Sequence, residues 1–227
     1  IRDRDVTGVQ TCALPIWIEF VSRMIIPWFA FVLVACSMAT AQDRVGQGPI
    51  QPSPVVNLFP DQDVHGNPVA KASFATAKGI VLIFLNPECP VANHYAPEMN
   101  RLLAKSGDAL LFFGVHSDPS VTREQAAAHA REFGLRFPVV LDPDQVLAEA
   151  AGASRTPEVA VMTADSRVLY RGRIDDRYSE TGKRRDEPRR RDMELVIDAL
   201  RSGDRVDVPH TKVFGCPIPK RRDTKKS

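Results

Sequence analysis

From residue 79 onward the chain alternates short, wholly apolar runs with longer amphipathic ones. Residues 80–85, Ile-Val-Leu-Ile-Phe-Leu, are apolar without a break and rich in β-branched and aromatic side chains, the pattern of a strand buried on both faces. Residues 109–115 and 137–141 repeat it and predict two more strands. Residues 159–162 and 168–170 flank the turn Ala164-Asp165-Ser166 and predict an antiparallel hairpin. Upstream, residues 55–59 predict a short strand and residues 61–67 a turn with His65 near its tip. Between the strands the apolar period lengthens to that of a helix. Residues 91–105 predict a helix kinked at Pro97. Thr122 and Gln125 form a capping box for a second that runs to Phe133, and Asp142-Pro143-Asp144 caps a third that ends at Ala151 before Gly152. Met193, Val196, Ile197 and Leu200 share one face of a closing helix over residues 192–201. The order β-α-β-α-β-α-β-β-α describes an α/β layer fold with a mixed sheet, without internal repeats.

The first long strand leads into Asn86-Pro87-Glu88-Cys89-Pro90. Proline suits the first turn of a helix, so Cys89 stands at a helix start. There it faces unpaired amide N–H groups and the positive end of the helix dipole, and both favour the thiolate, the nucleophilic form. The bland alternative is a buried cysteine serving as a small apolar residue. Its position before a proline, at a strand-to-helix turn, favours chemistry. Glu88 beside it would oppose a thiolate and reads as an exposed turn carboxylate.

The ends of the chain carry other patterns. Residues 1–16 have no assignable period, and residues 6–16 resemble the translated frame of a short-read sequencing adapter, which sets Cys12 outside the biological chain. Residues 17–41 read as an export signal: Arg23, an apolar run over 25–35, and the small residues Ser37, Ala39 and Ala41 before Gln42. That run is short for a membrane-spanning helix. Leu33-Val34-Ala35-Cys36 also resembles a lipoprotein signal, so two exits stay open beside a retained single anchor, and all three put the folded part outside the cytoplasm. One leaves the protein free in the periplasm; the other anchors it to the membrane through a lipidated Cys36. Residues 42–54, rich in Gly, Pro and Gln, form a flexible linker to a folded domain over residues 55–202. Residues 203–227 form a C-terminal tail that carries Cys216 and ends in a basic stretch expected to be disordered.

Lys and Arg total 30 against 28 Asp and Glu, and a net charge of +2 gives no reason to expect nucleic-acid binding. The charge-dense residues 178–191 read as a solvated loop, because acids interrupt the basic run. Of the four cysteines, setting Cys12 and Cys36 aside leaves only Cys89 and Cys216, which excludes a disulfide-stapled miniprotein.

The cysteine at the strand-to-helix turn, and Thr156-Pro157 leading into the next-to-last strand, resemble the thioredoxin-like redoxin superfamily over residues 55–200. That superfamily includes peroxiredoxins and periplasmic disulfide reductases. Cys89-Pro90-Val91-Ala92-Asn93, the run from Tyr170 through Arg173 to Asp175 and Asp176, and Gly215-Cys216 are similar to segments of exported bacterial redoxin-domain proteins. The resemblance implies an α/β, thioredoxin-like three-layer sandwich with a mixed central sheet. It also implies a cis Thr156–Pro157 bond, with Pro157 against Cys89 and the Thr156 backbone able to pair with a bound peptide or partner disulfide.

Departures from that family narrow the chemistry. Ala92 stands where a Cys-x-x-Cys pair has its second cysteine, which excludes local two-cysteine exchange. Asn86 and Leu82 stand where peroxiredoxins carry Thr or Ser and Pro, and Asn93 where copper-delivery relatives carry a second cysteine. The expectation is an exported thiol–disulfide oxidoreductase with Cys89 as nucleophile, resolved by Cys216 or an external thiol. Arg155 is the candidate cation for the thiolate, and His94 is either a proton partner or a helix-surface residue. A purely structural Cys89–Cys216 clasp stays open. Arg173, Asp175 and Asp176 read as an ion-pair cluster. Neither a metal nor an organic cofactor is expected; the implied partners are a dithiol electron-donor protein and a disulfide or peroxide substrate. The alternatives are a peroxiredoxin-type thiol peroxidase and a non-catalytic module that binds a partner protein beside Pro157.

Overall fold

The computed structural model describes residues 54–178 and 184–221. The adapter-like stretch at 1–16, the export signal at 17–41 with Cys36, the linker up to residue 53 and residues 222–227 of the basic end lie outside the described residues.

The central strand, β1 (Gly79–Leu85), is buried at every position, as its unbroken apolar run requires. It pairs in parallel with β2 (Leu110–His116), which pairs in parallel with β3 (Val139–Leu141) at one edge. A two-residue strand, β4 (Arg155–Thr156), stands off the main sheet and leads into β5 (Glu158–Met162), which runs antiparallel to β1. The hairpin closes with β6 (Val168–Gly172), giving the order β3-β2-β1-β5-β6. Successive side chains of a strand point to opposite faces, so β1 feeds two cores. Val81, Ile83 and Leu85 pack with Ala92, Met99, Leu102, Met193 and Ile197 on one face. On the other, Ile80, Leu82 and Phe84 pack with Val55, Phe59, Phe74 and Leu147. The result is the thioredoxin-like three-layer sandwich.

Helices α1 (Pro90–His94), α2 (Ala96–Ser106), α3 (Arg123–Glu132), α4 (Val146–Ala151) and α5 (Asp192–Ser202) connect and cover these strands. Thr122 and Gln125 form both halves of the capping box on α3. Asp142 accepts from the Leu147 and Ala148 amides at the start of α4.

Two elements differ from expectation. Residues 55–59 form no strand; Val55–Leu58 is a 3-10 helix between Pro54 and Pro60. Both prolines lack the amide a ladder needs, and the tight turn buries Val55 and Phe59 in one core. The helix over 91–105 is broken, not kinked: Tyr95 separates α1 from α2 and carries φ −82° and ψ −4°. Pro97 has no amide to continue the ladder across that point.

Residues 203–221 return to the body. Arg171 donates its amide to Pro209 (2.9 Å), and Thr211 donates back to Arg171 (3.1 Å). A final two-residue strand, β7 (Cys216–Pro217), then pairs antiparallel with β4.

Candidate active site

Cys89 is the N-cap of α1, with Pro90 in the first helical turn. The turn before it is fixed locally: the Cys89 amide donates to the Asn86 carbonyl (3.0 Å), and the Glu88 amide to Asn86 Oδ1 (2.9 Å). Only 1% of Cys89 is exposed, and its Sγ donates to the Thr156 carbonyl at 3.1 Å. The Thr156–Pro157 peptide bond is cis. On the other side of Thr156 lies β7, in a register that sets Cys216 opposite Thr156 and Pro217 opposite Arg155. The two free thiols therefore lie close together, with the thiol and the amide of Cys216 as donors near the Cys89 sulfur.

That close approach depends on Gly215. A Cβ there would fall 2.1 Å from the Thr156 carbonyl oxygen, far inside van der Waals contact.

The electrostatics of the two cysteines oppose each other. Burial works against ionisation of Cys89, but the donors close to its sulfur, the Cys216 thiol, the Thr156 hydroxyl and the Ala92 and Cys216 amides, more than offset it. Its pKa falls below that of an ordinary thiol. For Cys216, burial and then the Cys89 neighbour push the thiol up to about 11, with Arg155 a partial counterweight. The two thiols are thus unequal: Cys89 ionises more readily, and Cys216 keeps its proton when Cys89 loses its own. The Thr156 hydroxyl is buried beside the sulfur and has no well-formed hydrogen bond of its own.

The other expected residues fall at varying distances from this chemistry. Arg155 is exposed and donates to the Gly215 carbonyl (2.9 Å); its charge bears on Cys216, not on Cys89. It sits on β4 beyond Thr156, which is why it misses the thiolate. His94 closes α1 with its ring against Tyr95 and Tyr178, and no hydrogen bond joins it to Cys89 among the described residues. Burial, then Arg184 and Arg177, hold its imidazole below its usual pKa. Glu88 is exposed. Arg173 pairs with Asp192 (2.7 Å), while Asp176 pairs with Arg185 (3.4 Å) and accepts from the Arg189 and Arg190 amides. Among the described residues, no group of three or more His, Cys, Asp or Glu is placed to hold a metal ion.

A family profile named Redoxin matches residues 47–184. The chain belongs to the redoxin family. Among solved structures, an uncharacterized conserved protein from Geobacillus kaustophilus superposes with a TM-score of 0.61 at 26% identity, over 77% of this chain and 92% of that one. A hypothetical protein from Sinorhizobium meliloti superposes with a TM-score of 0.57 at 26% identity, over 69% of this chain and 87% of that one. A search of curated proteins finds no match.

This redoxin supports its cysteine turn with side chains whose contacts sequence reasoning did not assign. Asn93 donates to the Pro87 carbonyl (2.8 Å), and its Oδ1 meets His129 Nε2 at 2.9 Å, tying the cysteine turn to α3. His129 in turn packs its ring 5.1 Å from that of fully buried His116. Tyr95 donates to buried Asp175, and the Arg177 amide donates to the same carboxylate (2.8 Å). The Tyr178 ring stands 5.6 Å from that of Tyr95. Burial, and to a lesser degree the charge of Cys89, push the Tyr178 phenol up. One signal was available for His129: Ala126, Ala127 and Ala130 around it mark a buried helix face.

Proposed function

We propose that this redoxin is a thiol–disulfide oxidoreductase in which Cys89 is the nucleophile and Cys216 the resolving thiol. The observation that carries the reading is the β4–β7 register, which sets Cys216 opposite Thr156, whose carbonyl meets Cys89 Sγ, so that the only two cysteines among the described residues share one site. The Cys89 thiolate attacks one sulfur of a substrate disulfide, forming a mixed disulfide and releasing the other half as a thiolate. Cys216, once its proton is lost, attacks the Cys89 sulfur, expels the second half and closes a Cys89–Cys216 disulfide. A partner dithiol protein then returns two electrons. Pro157 bounds the groove, and Thr156 contributes its carbonyl and hydroxyl to the sulfur's surroundings. Export, as free periplasmic protein or through lipidated Cys36, belongs to the same reading and rests on the composition of residues 17–41.

One observation favours a peroxide as the oxidant in place of a disulfide. Asn86, three residues before Cys89, spends its side-chain amide on Asp118 (3.0 Å), so it orients nothing at the sulfur. The buried Thr156 hydroxyl remains to donate to a peroxide oxygen there. In that version Cys89 becomes a sulfenic acid, and Cys216 attacks it with loss of water.

Intact mass and peptide mapping test both versions. One equivalent of hydrogen peroxide or a small disulfide should remove two hydrogens from the wild type and join Cys89 to Cys216. Cys216→Ser should stall as a sulfenic acid or a mixed disulfide. Unreactive Cys89 in both proteins would leave a non-catalytic binding module.

A further inference from the structure

We infer that residues 215–218 are a built-in occupant of the groove that an extended disulfide-bearing peptide would use. In the dithiol form, small oxidants then reach Cys89 directly, and peptide or protein disulfides reach it only after this strand lifts. The inference rests on the proposed function and specifies its substrate access.

A peptide brings a sulfur to a buried nucleophile most economically by adding as a strand beside it, with main-chain hydrogen bonds for affinity. The backbone suited to that is β4, because its Thr156 carbonyl already touches Cys89 Sγ at 3.1 Å. That edge is taken. Thr156 faces Cys216, Arg155 faces Pro217, and the Ile218 amide donates to Ser154 at 2.9 Å. Cys216 is thereby presented to Cys89 as a bound peptide would present its own sulfur. Clefts of about 500 and 480 Å³ open elsewhere on the surface, and one of about 430 Å³ adjoins this strand at Ser154, Arg155 and Gly215; neither cysteine lines any of them.

The strand is also built to release. Pro217 and Pro219 have no amide to donate, so the β4–β7 ladder is short. Much of what holds its far end is side chain. Gln145 Nε2 donates to the Pro219 carbonyl (2.6 Å), the Arg221 amide donates to Gln145 Oε1 (3.2 Å), and Arg221 pairs with Asp144 (3.1 Å). Both partners of that ion pair are largely exposed, and such pairs hold weakly. Removing these three contacts should open the groove without touching either cysteine.

The test uses two activated disulfides with the same leaving group, a hydroxyethyl 2-pyridyl disulfide and an extended peptide carrying a 2-pyridyl disulfide. In each, the Cys89 thiolate attacks the sulfur away from the ring and releases pyridine-2-thione, read by absorbance. The variant is Gln145→Gly with Arg221→Ala; glycine keeps the positive φ of 60° at residue 145. Single-turnover rates of the full chain should show the peptide probe slower than the small one in the wild type. The variant should raise the peptide rate about tenfold, the scale of one or two lost hydrogen bonds, and leave the small-probe rate within about twofold. A variant that leaves the peptide rate unchanged, or raises both rates alike, overturns the gate while the oxidoreductase stands. No thione from either probe removes the proposed function itself, and the gate with it.

Discussion

At the scale of single residues, the site is a contest over one proton. Burial opposes ionisation of both thiols. The donors around Cys89, the Cys216 thiol first among them, outweigh it there, while the Cys89 neighbour adds to it at Cys216, so one thiol is made nucleophilic and the other is kept in reserve. Cys216→Ala deletes the thiol donor while burial of Cys89 persists, so the Cys89 pKa should rise. Alkylation by iodoacetamide tracks the thiolate, and its rate climbs as pH passes upward through the pKa. The midpoint of that profile should therefore move to higher pH in Cys216→Ala, and the rate at pH 7 should fall. Superposable profiles would mean that the Thr156 and Ala92 groups suffice. Much of this contest was legible in the sequence, because Cys89, Cys216 and Thr156-Pro157 are residue types whose chemistry is tied to their position before a proline or after a glycine. Arg155 and His94 were legible only as charge near the right place; which sulfur a side chain faces depends on strand pairing and ring packing, and no spacing records those.

At the scale of elements, the decisive pieces are the broken helix and the two-residue strands. The sequence showed Pro97 and a helix around it, yet the break falls at Tyr95, whose phenol reaches Asp175 in the loop after β6. Burial and then that carboxylate raise the phenol's pKa, so at any ordinary pH it is a neutral donor. Tyr95→Phe keeps the ring and its packing against Tyr178 but leaves the buried carboxylate with one donor fewer. The loss should cost about 1–3 kcal/mol of stability, read as a lower urea midpoint at unchanged slope. An unchanged midpoint would show that water replaces the hydroxyl. Strands as short as β4 and β7 carry no period to read, which is why the approach of Cys216 to Cys89 was expected from residue types while the strand pairing behind it was invisible, and each full-length strand of the main sheet was not.

At the scale of the whole molecule, one core carries a polar liability beneath the active-site turn. His116 ends β2 with neither ring nitrogen well hydrogen-bonded, and burial, then neighbouring His129, depress its pKa to about 3. The Leu85 backbone and then Asp118 are lesser opposing influences, and burial lowers His129 as well. An unfolded histidine takes up a proton near pH 6.5, so as pH falls below that value the unfolded state gains protons that folded His116 refuses. Its contribution is present above pH 6.5 and is lost progressively as pH falls towards 3. Between pH 6.5 and 5 the loss should amount to about 2 kcal/mol for this one residue. Carboxylates held low, such as Glu98 and Asp176, lose their contributions mainly at lower pH, and Asp142, which burial raises, acts with the opposite sign. That window therefore isolates the histidines. Urea unfolding at pH 7 and pH 5 should show the wild type weakened at the lower pH and His116→Leu weakened less. If the leucine variant does not fold, the ring resonances of the wild type decide: His116 should keep its neutral shifts down to pH 5. Titration of that ring near pH 6.5 would mean that solvent or a bound anion reaches this core.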